Sequence, residues 1–140
     1  MVKFEYEKDI WRKFIDPKKF ALLLKKIEEK EHCNIIEVNY QLISDKKILE
    51  INNKFLNHKY YTDVIAFARN RGPRKMADIY VSIERVKDNA QDLGVLFQTE
   101  LKRVMLHGLL HVLGYNDTEK KEKILMSNKE DYYLDLYENI

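Results

Sequence analysis

The chain has 140 residues, of which 45% are hydrophobic and 34% charged, a balance typical of one globular domain with a single core. Its formal net charge is only +2, from interspersed basic and acidic residues, so charge alone indicates no polyanionic partner. The sole cysteine, Cys33, excludes an internal disulfide, and no apolar run approaches the roughly 18 residues needed to cross a bilayer. We therefore expect a cytoplasmic protein with no leader and no membrane span, organised as one domain over residues 1–140.

The first half of the chain predicts two amphipathic helices on either side of a strand: a helix over 16–31, a strand over 34–44 and a helix over 44–56. Asp16 is placed to cap the first helix, and either Ser44 or Asp45 to cap the second. One face of the strand is expected to carry Ile36, Val38 and Tyr40. The second helix is expected to turn three apolar side chains inward, namely Ile48, Ile51 and Phe55.

The second half predicts two short strands, "TDVIAFA" (62–68) and "ADIYVSI" (77–83), followed by helices over 98–114 and 118–137. A polar loop, "RNRGPRK" (69–75), joins the strands. The first of these helices is apolar nearly all round and is expected to be buried, with Gly114 at its C-terminal cap. The last helix has Thr118 as its candidate cap and is expected to pack through Ile124, Leu125, Leu134 and Leu136.

Two of the four histidines lie in the stretch "HGLLHVLGYND" (107–117) of the buried helix. Helix positions four apart are separated by about 40° around the axis and about 6 Å along it, so His107 and His111 can reach one metal ion. The turn after Gly114 can return Asp117 to the two imidazoles as a third ligand. Two histidines and one carboxylate leave a fourth position open, as in catalytic rather than structural zinc sites. The alternative is a packed histidine pair, but polar groups without partners in so apolar a helix cost roughly 1–3 kcal/mol each.

The spacing H-x-x-x-H-x-x-G-x-x-D resembles that of metzincin metalloproteases, in which a glutamate after the first histidine is the general base. Here that position is Gly108, which counts against peptide hydrolysis. The segment is more similar to the YbeY family of bacterial rRNA-maturation endoribonucleases, whose signature is H-G-x-L-H-L-x-G-Y-D-H. The stretches "LNHKYYTDVIAF" (56–67) and "ADIYVSI" (77–83) resemble two further blocks of that family, in the same order.

The resemblance implies a compact α+β fold, a small mixed sheet with helices packed around it and a metal site at the C-terminal end of a buried helix. It also implies an endoribonuclease that uses one Zn²⁺ per chain and cuts single-stranded RNA in 16S rRNA maturation and ribosome quality control. Its partners would be rRNA precursors and the small ribosomal subunit. The alternative is a ribosome-associated assembly factor whose metal is mainly structural.

The sequence departs from the family pattern at three positions near the expected site. Asp117 stands where a third histidine is usual, and Asn116 replaces the aspartate before it. Tyr61 stands where an arginine generally follows the tyrosine. We therefore expect weaker metal binding than in the family pattern, and phosphate contacts from other residues.

The resemblance also suggests residues for catalysis and RNA contact. Asp78 is expected near the metal cleft as a proton-handling catalytic carboxylate, with a solvated acid at a strand end as the alternative. His58 and Tyr60 are candidates for stacking on unpaired bases, or else pack beside the sheet. Basic side chains of the loop 69–75 are candidates for phosphate contact, although such runs are usually solvated: Arg69, Arg71, Arg74 and Lys75.

Overall fold

The computed structural model describes residues 1–140, which form four strands and five α-helices. In chain order they are β1 (Val2–Tyr6), α1 (Pro17–Glu31), β2 (Asn34–Ile43), α2 (Asp45–Leu56), β3 (Val64–Ala68), β4 (Arg74–Ser82), α3 (Ile83–Leu93), α4 (Phe97–Val112) and α5 (Lys120–Glu138). A 3-10 turn, Asp9–Phe14, lies between β1 and α1. None of the helices is both long enough and apolar enough to span a membrane.

The four strands form one mixed sheet in the order β1-β2-β4-β3. The first three strands in that order are parallel neighbours, and β3 pairs antiparallel with β4 as a hairpin. This is the α+β architecture with a small mixed sheet that the resemblance implies. The pattern "VKFEY" alternates apolar and polar residues, as an edge strand with one buried face requires, but β1 was not among the predicted elements.

Alternation along the strands gives the sheet an apolar face and a polar face. The apolar face carries fully buried side chains of β2 and β4 and is covered by α1 and α4: Val38, Tyr40, Leu42, Ala77, Ile79 and Val81. The polar face carries the intervening residues of the same strands, including Asn39 and Asp78. A smaller apolar cluster of Ile43, Ile48 and Ile65 packs α2 against the end of this second face.

Helix α4 approaches the sheet closely at Gly108. A Cβ atom at this position would lie 3.0 Å from a methyl carbon of Val64 and 3.0 Å from one of Ile79. Real Cβ atoms seldom approach neighbours so closely, so a larger side chain here forces the helix or the sheet to move. The glycine therefore sets the distance between the histidine-bearing helix and strands β3 and β4.

The predicted N-terminal helix caps are confirmed at two of three positions. The side chain of Asp16 accepts a hydrogen bond from the Lys19 N–H at 3.1 Å, and that of Ser44 accepts one from the Lys47 N–H at 3.2 Å. Thr118 is wrong as the cap of α5. That helix instead begins with a reciprocal capping box between Glu119 and Glu122.

Some of the predicted inward faces are wrong. A bulge after Ile35 in β2 shifts the register, so Ile35 is buried and Ile36 only partly so. Phe55 is 62% exposed and rests edge-on against Phe67. In α5, Ile124 and Leu125 are exposed, and the buried stripe is Met126, Glu130, Tyr133 and Tyr137.

Candidate metal centre

The last two turns of α4 and the loop after them supply the three predicted ligands. His107 and His111 follow one another on the same side of the helix, which ends at Val112. Gly114 then adopts a positive φ of 108°, a conformation that favours glycine and reverses the chain direction. This reversal brings Asp117 back beside the two imidazoles.

The three side chains converge on one point. The Nε2 atoms of His107 and His111 lie 3.1 Å apart. The Oδ2 atom of Asp117 lies 3.2 Å from the first of these nitrogens and 3.5 Å from the second. No other group of three or more histidine, cysteine or acidic side chains in the structure brings its ligand atoms together closely enough to hold a metal ion.

The other nitrogen of each imidazole faces a hydrogen-bond acceptor. The Nδ1 atom of His107 lies 2.6 Å from Oε2 of Glu130, and that of His111 lies 2.9 Å from the carbonyl oxygen of Tyr115. A carboxylate and a carbonyl are acceptors, so both Nδ1 atoms donate, and in the neutral rings both Nε2 atoms present lone pairs. The two Nε2 lone pairs and a carboxylate oxygen of Asp117 then point at one position, and none of these atoms carries a hydrogen to donate. This donor set fits a cation with nitrogen and oxygen ligands, of the kind zinc prefers.

Without a metal ion, a proton stabilises the same arrangement. The hydrogen bond to Glu130, followed by the negative charges of Glu130, Asp117 and Asp63, raises the pKa of His107 against the opposing effect of burial. The protonated ring can donate from Nε2 to the nearby acceptors. A metal ion and a proton therefore compete for the same nitrogen.

The loop that carries Asp117 is tied to the N-terminal half of the chain. The Tyr115 hydroxyl donates to Oε1 of Glu31 at 2.5 Å, while Tyr133 and Lys129 of α5 bind the other oxygen of the same carboxylate. Burial alone would raise the pKa of Glu31, but these three hydrogen bonds outweigh it and lower that pKa. The cluster fixes Tyr115, whose carbonyl orients His111.

A polar cavity of about 190 Å³ opens beside His107. Its walls include the carboxyl groups of Asp63, Glu100 and Glu130 and the guanidinium of Arg103. Burial raises the pKa of both Asp63 and Glu100, and the charge of Asp63 adds to the rise at Glu100. Acidic groups, rather than further histidines, therefore surround the inner side of the site.

A second cavity, of about 260 Å³, shares Val64 as a wall with the first. Its lining includes His58 and Tyr60, whose rings stack 5.1 Å apart with the Tyr60 hydroxyl 3.0 Å from His58 Nδ1. The two cavities adjoin along β3. The structure thus brings the predicted aromatic pair to a groove beside β3 that adjoins the cavity of His107 at Val64.

Asp78 does not lie where the resemblance places it. It follows Ala77 and precedes Ile79, which both face the core, so its own side chain points to the opposite face of the sheet from α4. There its carboxylate binds Asn39 at 3.0 Å and Arg69 at 3.3 Å. The expected position of Asp78 beside the metal cleft is therefore wrong, and its catalytic role stays a prediction that its position does not support.

The four predicted basic residues of the β3–β4 hairpin differ in whether they are already paired within the protein. Arg69 is paired with Asp78, whereas Arg71 and Arg74 are exposed at the hairpin tip and form no ion pair. Lys75 donates to the carbonyl oxygen of Gly72 at 3.3 Å. The side-chain amide of Asn70, in the same hairpin, donates to the carbonyl oxygen of Val112 at 2.8 Å. The hairpin tip therefore lies near the end of the histidine-bearing helix α4.

Several residues around the ligands were missed by sequence reasoning: Glu31, Asp63, Glu100, Tyr115 and Glu130. Only Glu130 could have been identified from the pattern of its own segment. It shares the spacing of the buried stripe of α5, and an acid on the buried face of an amphipathic helix needs a partner. The others come from separate elements and meet only in the folded chain.

The fold and the site together define a class: an α+β protein whose mixed sheet supports a helix ending at three side chains that could hold a metal ion. The family model described as Endoribonuclease YbeY matches residues 4–138. The chain belongs to the YbeY family.

Individual relatives match over most of their length. The chain is 41% identical over 137 residues to the Endoribonuclease YbeY of Flavobacterium psychrophilum, covering 98% of this chain and 96% of that one. It is 47% identical over 114 residues to the Endoribonuclease YbeY of Cytophaga hutchinsonii, covering 81% and 80%. A solution structure of a protein from Thermotoga maritima has a TM-score of 0.64 and 29% identity, covering 98% of this chain and 89% of that chain.

Proposed function

We propose that this protein is a metal-dependent endoribonuclease that cuts single-stranded RNA, with Zn²⁺ held by His107, His111 and Asp117. One observation carries the proposal: three acceptor atoms converge within 3.5 Å of one another, with both Nδ1 atoms engaged elsewhere. RNA as the substrate is supported by the name Endoribonuclease that the relatives carry.

The chain's own residues prepare the site for phosphodiester cleavage. Glu130 and the Tyr115 carbonyl hold the imidazoles so that their Nε2 atoms stay directed at one point. The Asp117 side chain is 40% exposed, so the point of convergence can be approached from solvent on that side. A zinc ion held there would lower the pKa of a bound water to about 7 and would polarise a phosphoryl oxygen.

An RNA strand in the groove beside β3 would meet groups suited to unpaired nucleotides. The stacked His58 and Tyr60 offer ring faces for bases. Arg71 and Arg74 offer unpaired positive charge to the phosphates, and this stands in for the arginine that Tyr61 replaces. Asp78 takes no part in this proposal, since it lies on the other face of the sheet.

The biological substrate we propose is the precursor of 16S rRNA on the small ribosomal subunit, in the cytoplasm, with a role in ribosome quality control. This follows the resemblance to the YbeY family. An assembly factor with a mainly structural metal is disfavoured by the three-ligand site, because structural zinc sites are usually closed by four protein ligands. A protease is disfavoured because position 108 faces Val64 and Ile79, so a general base there would enter the core.

The test is cleavage of a labelled single-stranded RNA by the purified protein loaded with one zinc ion per chain. We expect cleavage that a duplex of the same sequence resists, that a chelator abolishes and that added zinc restores. His111→Ala should abolish it, and casein should stay intact. A folded, zinc-loaded protein that binds small subunits but leaves RNA uncut would contradict the nuclease and favour the assembly factor.

A further inference from the structure

The cavity beside His107 contains a carboxylate that nothing in the protein neutralises directly. Glu100 is only 6% exposed, yet its side chain forms neither a hydrogen bond nor an ion pair with any residue. Every side-chain oxygen that is sealed within the protein has a hydrogen-bond partner. The oxygens of Glu100 must therefore reach the cavity, where they face the space enclosed by Asp63 and His107.

The charges on the cavity wall do not balance. The guanidinium of Arg103 is already engaged by Glu130 at 2.9 Å and by Asp131 at 2.6 Å. The Asp63 carboxylate accepts hydrogen bonds only from uncharged donors, namely the side-chain amide of Asn89 at 3.1 Å and the backbone N–H groups of Asp63 and Val64. Asp63 and Glu100 are thus two largely buried acids in one cavity, where the cationic Arg103 is already paired and His107 is neutral once it binds zinc.

We propose that this cavity binds a hydrated divalent cation of the Mg²⁺ kind, held by the carboxylates of Glu100 and Asp63. The ligands are all oxygen, which Mg²⁺ prefers and which distinguishes this site from the histidine site beside it. Two carboxylates fill only part of the coordination shell, so they suit an ion that keeps several of its waters. A cavity of about 190 Å³ has room for such an ion and its waters.

The position of this cation connects it with the groove. The cavity shares Val64 with the neighbouring space lined by His58 and Tyr60. The ion would therefore face an RNA strand bound along β3. There it would offset the acidic wall that otherwise repels backbone phosphate. This consequence rests on the proposed function, whereas the cation site itself does not.

The experiment measures cation binding without RNA. Protein loaded with one zinc ion per chain is titrated with Mn²⁺ as a probe for Mg²⁺, and free Mn²⁺ is followed by its electron paramagnetic resonance signal. Mn²⁺ forms weaker complexes than Zn²⁺ with the same ligands and will not displace it from the histidines. We expect one Mn²⁺ bound per chain, released by excess Mg²⁺.

Two isosteric variants and one control assign the binding to the cavity. Glu100→Gln and Asp63→Asn each remove one charge and should weaken Mn²⁺ binding by about tenfold or more, since ligand charge sets affinity for such ions. Glu29→Gln makes the same change at an exposed position on α1 and should leave binding unchanged. Thermal melts and zinc content show which variants remain folded with the first site intact.

Absence of bound Mn²⁺ in the wild-type protein overturns the proposal, as does binding that persists in a folded Glu100→Gln or Asp63→Asn variant. The Mn²⁺ titration does not measure RNA cleavage, so its result is independent of the nuclease assay. A protein that cuts RNA but binds no Mn²⁺ refutes only the second cation. A protein that binds Mn²⁺ through Glu100 but leaves RNA intact refutes only the nuclease.

Discussion

Nδ1 of His107 and Oε2 of Glu130 lie 2.6 Å apart and join helix α4 to helix α5. The other oxygen of Glu130 accepts a hydrogen bond from Arg103 at 2.9 Å, so both oxygens of this buried carboxylate are used. A carboxylate behind a ligating imidazole fixes the ring and raises its basicity. Helix α5 thus orients one of the three candidate ligands although it contributes none of them.

Glu130→Gln should weaken zinc binding by about 10–100-fold while the chain stays folded. A glutamine has one acceptor oxygen, so it cannot serve both Arg103 and His107. The matched control is Asp131→Asn, because Asp131 binds the same arginine at 2.6 Å but is 63% exposed and does not contact the histidine. Competition with a chromogenic chelator measures both variants. Equal affinity in the two would show that Glu130 does not orient the ligand.

Asp117→His should tighten zinc binding. Imidazole is the more usual zinc donor, and the loop after Gly114 leaves the Asp117 side chain 40% exposed, with room for the larger ring. Asp117→Asn, which keeps the size and removes the charge, should weaken binding. The same chelator competition separates the two outcomes. A histidine variant that folds but binds zinc no better would mean that the loop positions Asp117 for another purpose.

The apo and zinc-bound proteins should respond to pH in opposite directions above about pH 6.5. The pKa of His107 is raised in the folded protein, chiefly by its hydrogen bond with Glu130, so its contribution to apo stability is present below that pH. This contribution is lost as pH rises through the raised pKa. Zinc needs the neutral ring, so zinc affinity increases over the same range. Denaturant unfolding at several pH values, with and without zinc, measures both slopes, and Glu130→Gln should flatten the apo slope.

Arg71 and Arg74 should carry more of the RNA affinity than Arg69. The first two are exposed and unpaired, whereas Arg69 must leave Asp78 before it can bind a phosphate. Replacing Arg71 and Arg74 together by alanine should weaken binding to all single-stranded sequences alike and lower the salt slope by roughly 0.7 per lost contact. Arg69→Ala is the control. If the double variant keeps both affinity and slope, the hairpin is solvated surface.

Gly108→Ala should destabilise the protein by about 1 kcal/mol net, because forcing a methyl group against Val64 and Ile79 costs more than alanine's helix propensity returns. Gly108→Glu should fold poorly and show no casein cleavage. Denaturant unfolding gives the first value. A stabilised alanine variant would mean that β3 and β4 yield easily at this contact.

Much of this fold was predictable because its periodic segments are long. The sequence places α1, α2, β2, β3, β4, α4 and α5 close to their observed bounds. Helix α3 was missed because it begins directly after β4, with Ser82 as the cap and no loop between the two elements. In α5 the apolar residues Ile124 and Leu125 indicate the wrong face. Its buried face is set by Glu130 and the tyrosines, whose partners lie in other elements.

The candidate site was likewise predictable only in part. The convergence of His107, His111 and Asp117 was predictable because one helix and one turn position them. Asp78 was misplaced because a strand position indicates a face only once the neighbouring helix is known. The partners Glu130 and Asp63 approach His107 through tertiary packing, on which local spacing carries no information.

The contacts of Glu31 have a consequence for the order of folding. It binds Tyr115 and Tyr133, which follow it by 84 and 102 residues, so the loop that carries Asp117 is secured only after α1 has docked against α5. A short peptide containing all three ligands lacks this support and pays the ordering entropy itself. Metal that binds only the docked chain shifts the folding equilibrium toward it. Metal supply would then help to determine how much of the newly made protein reaches its native state.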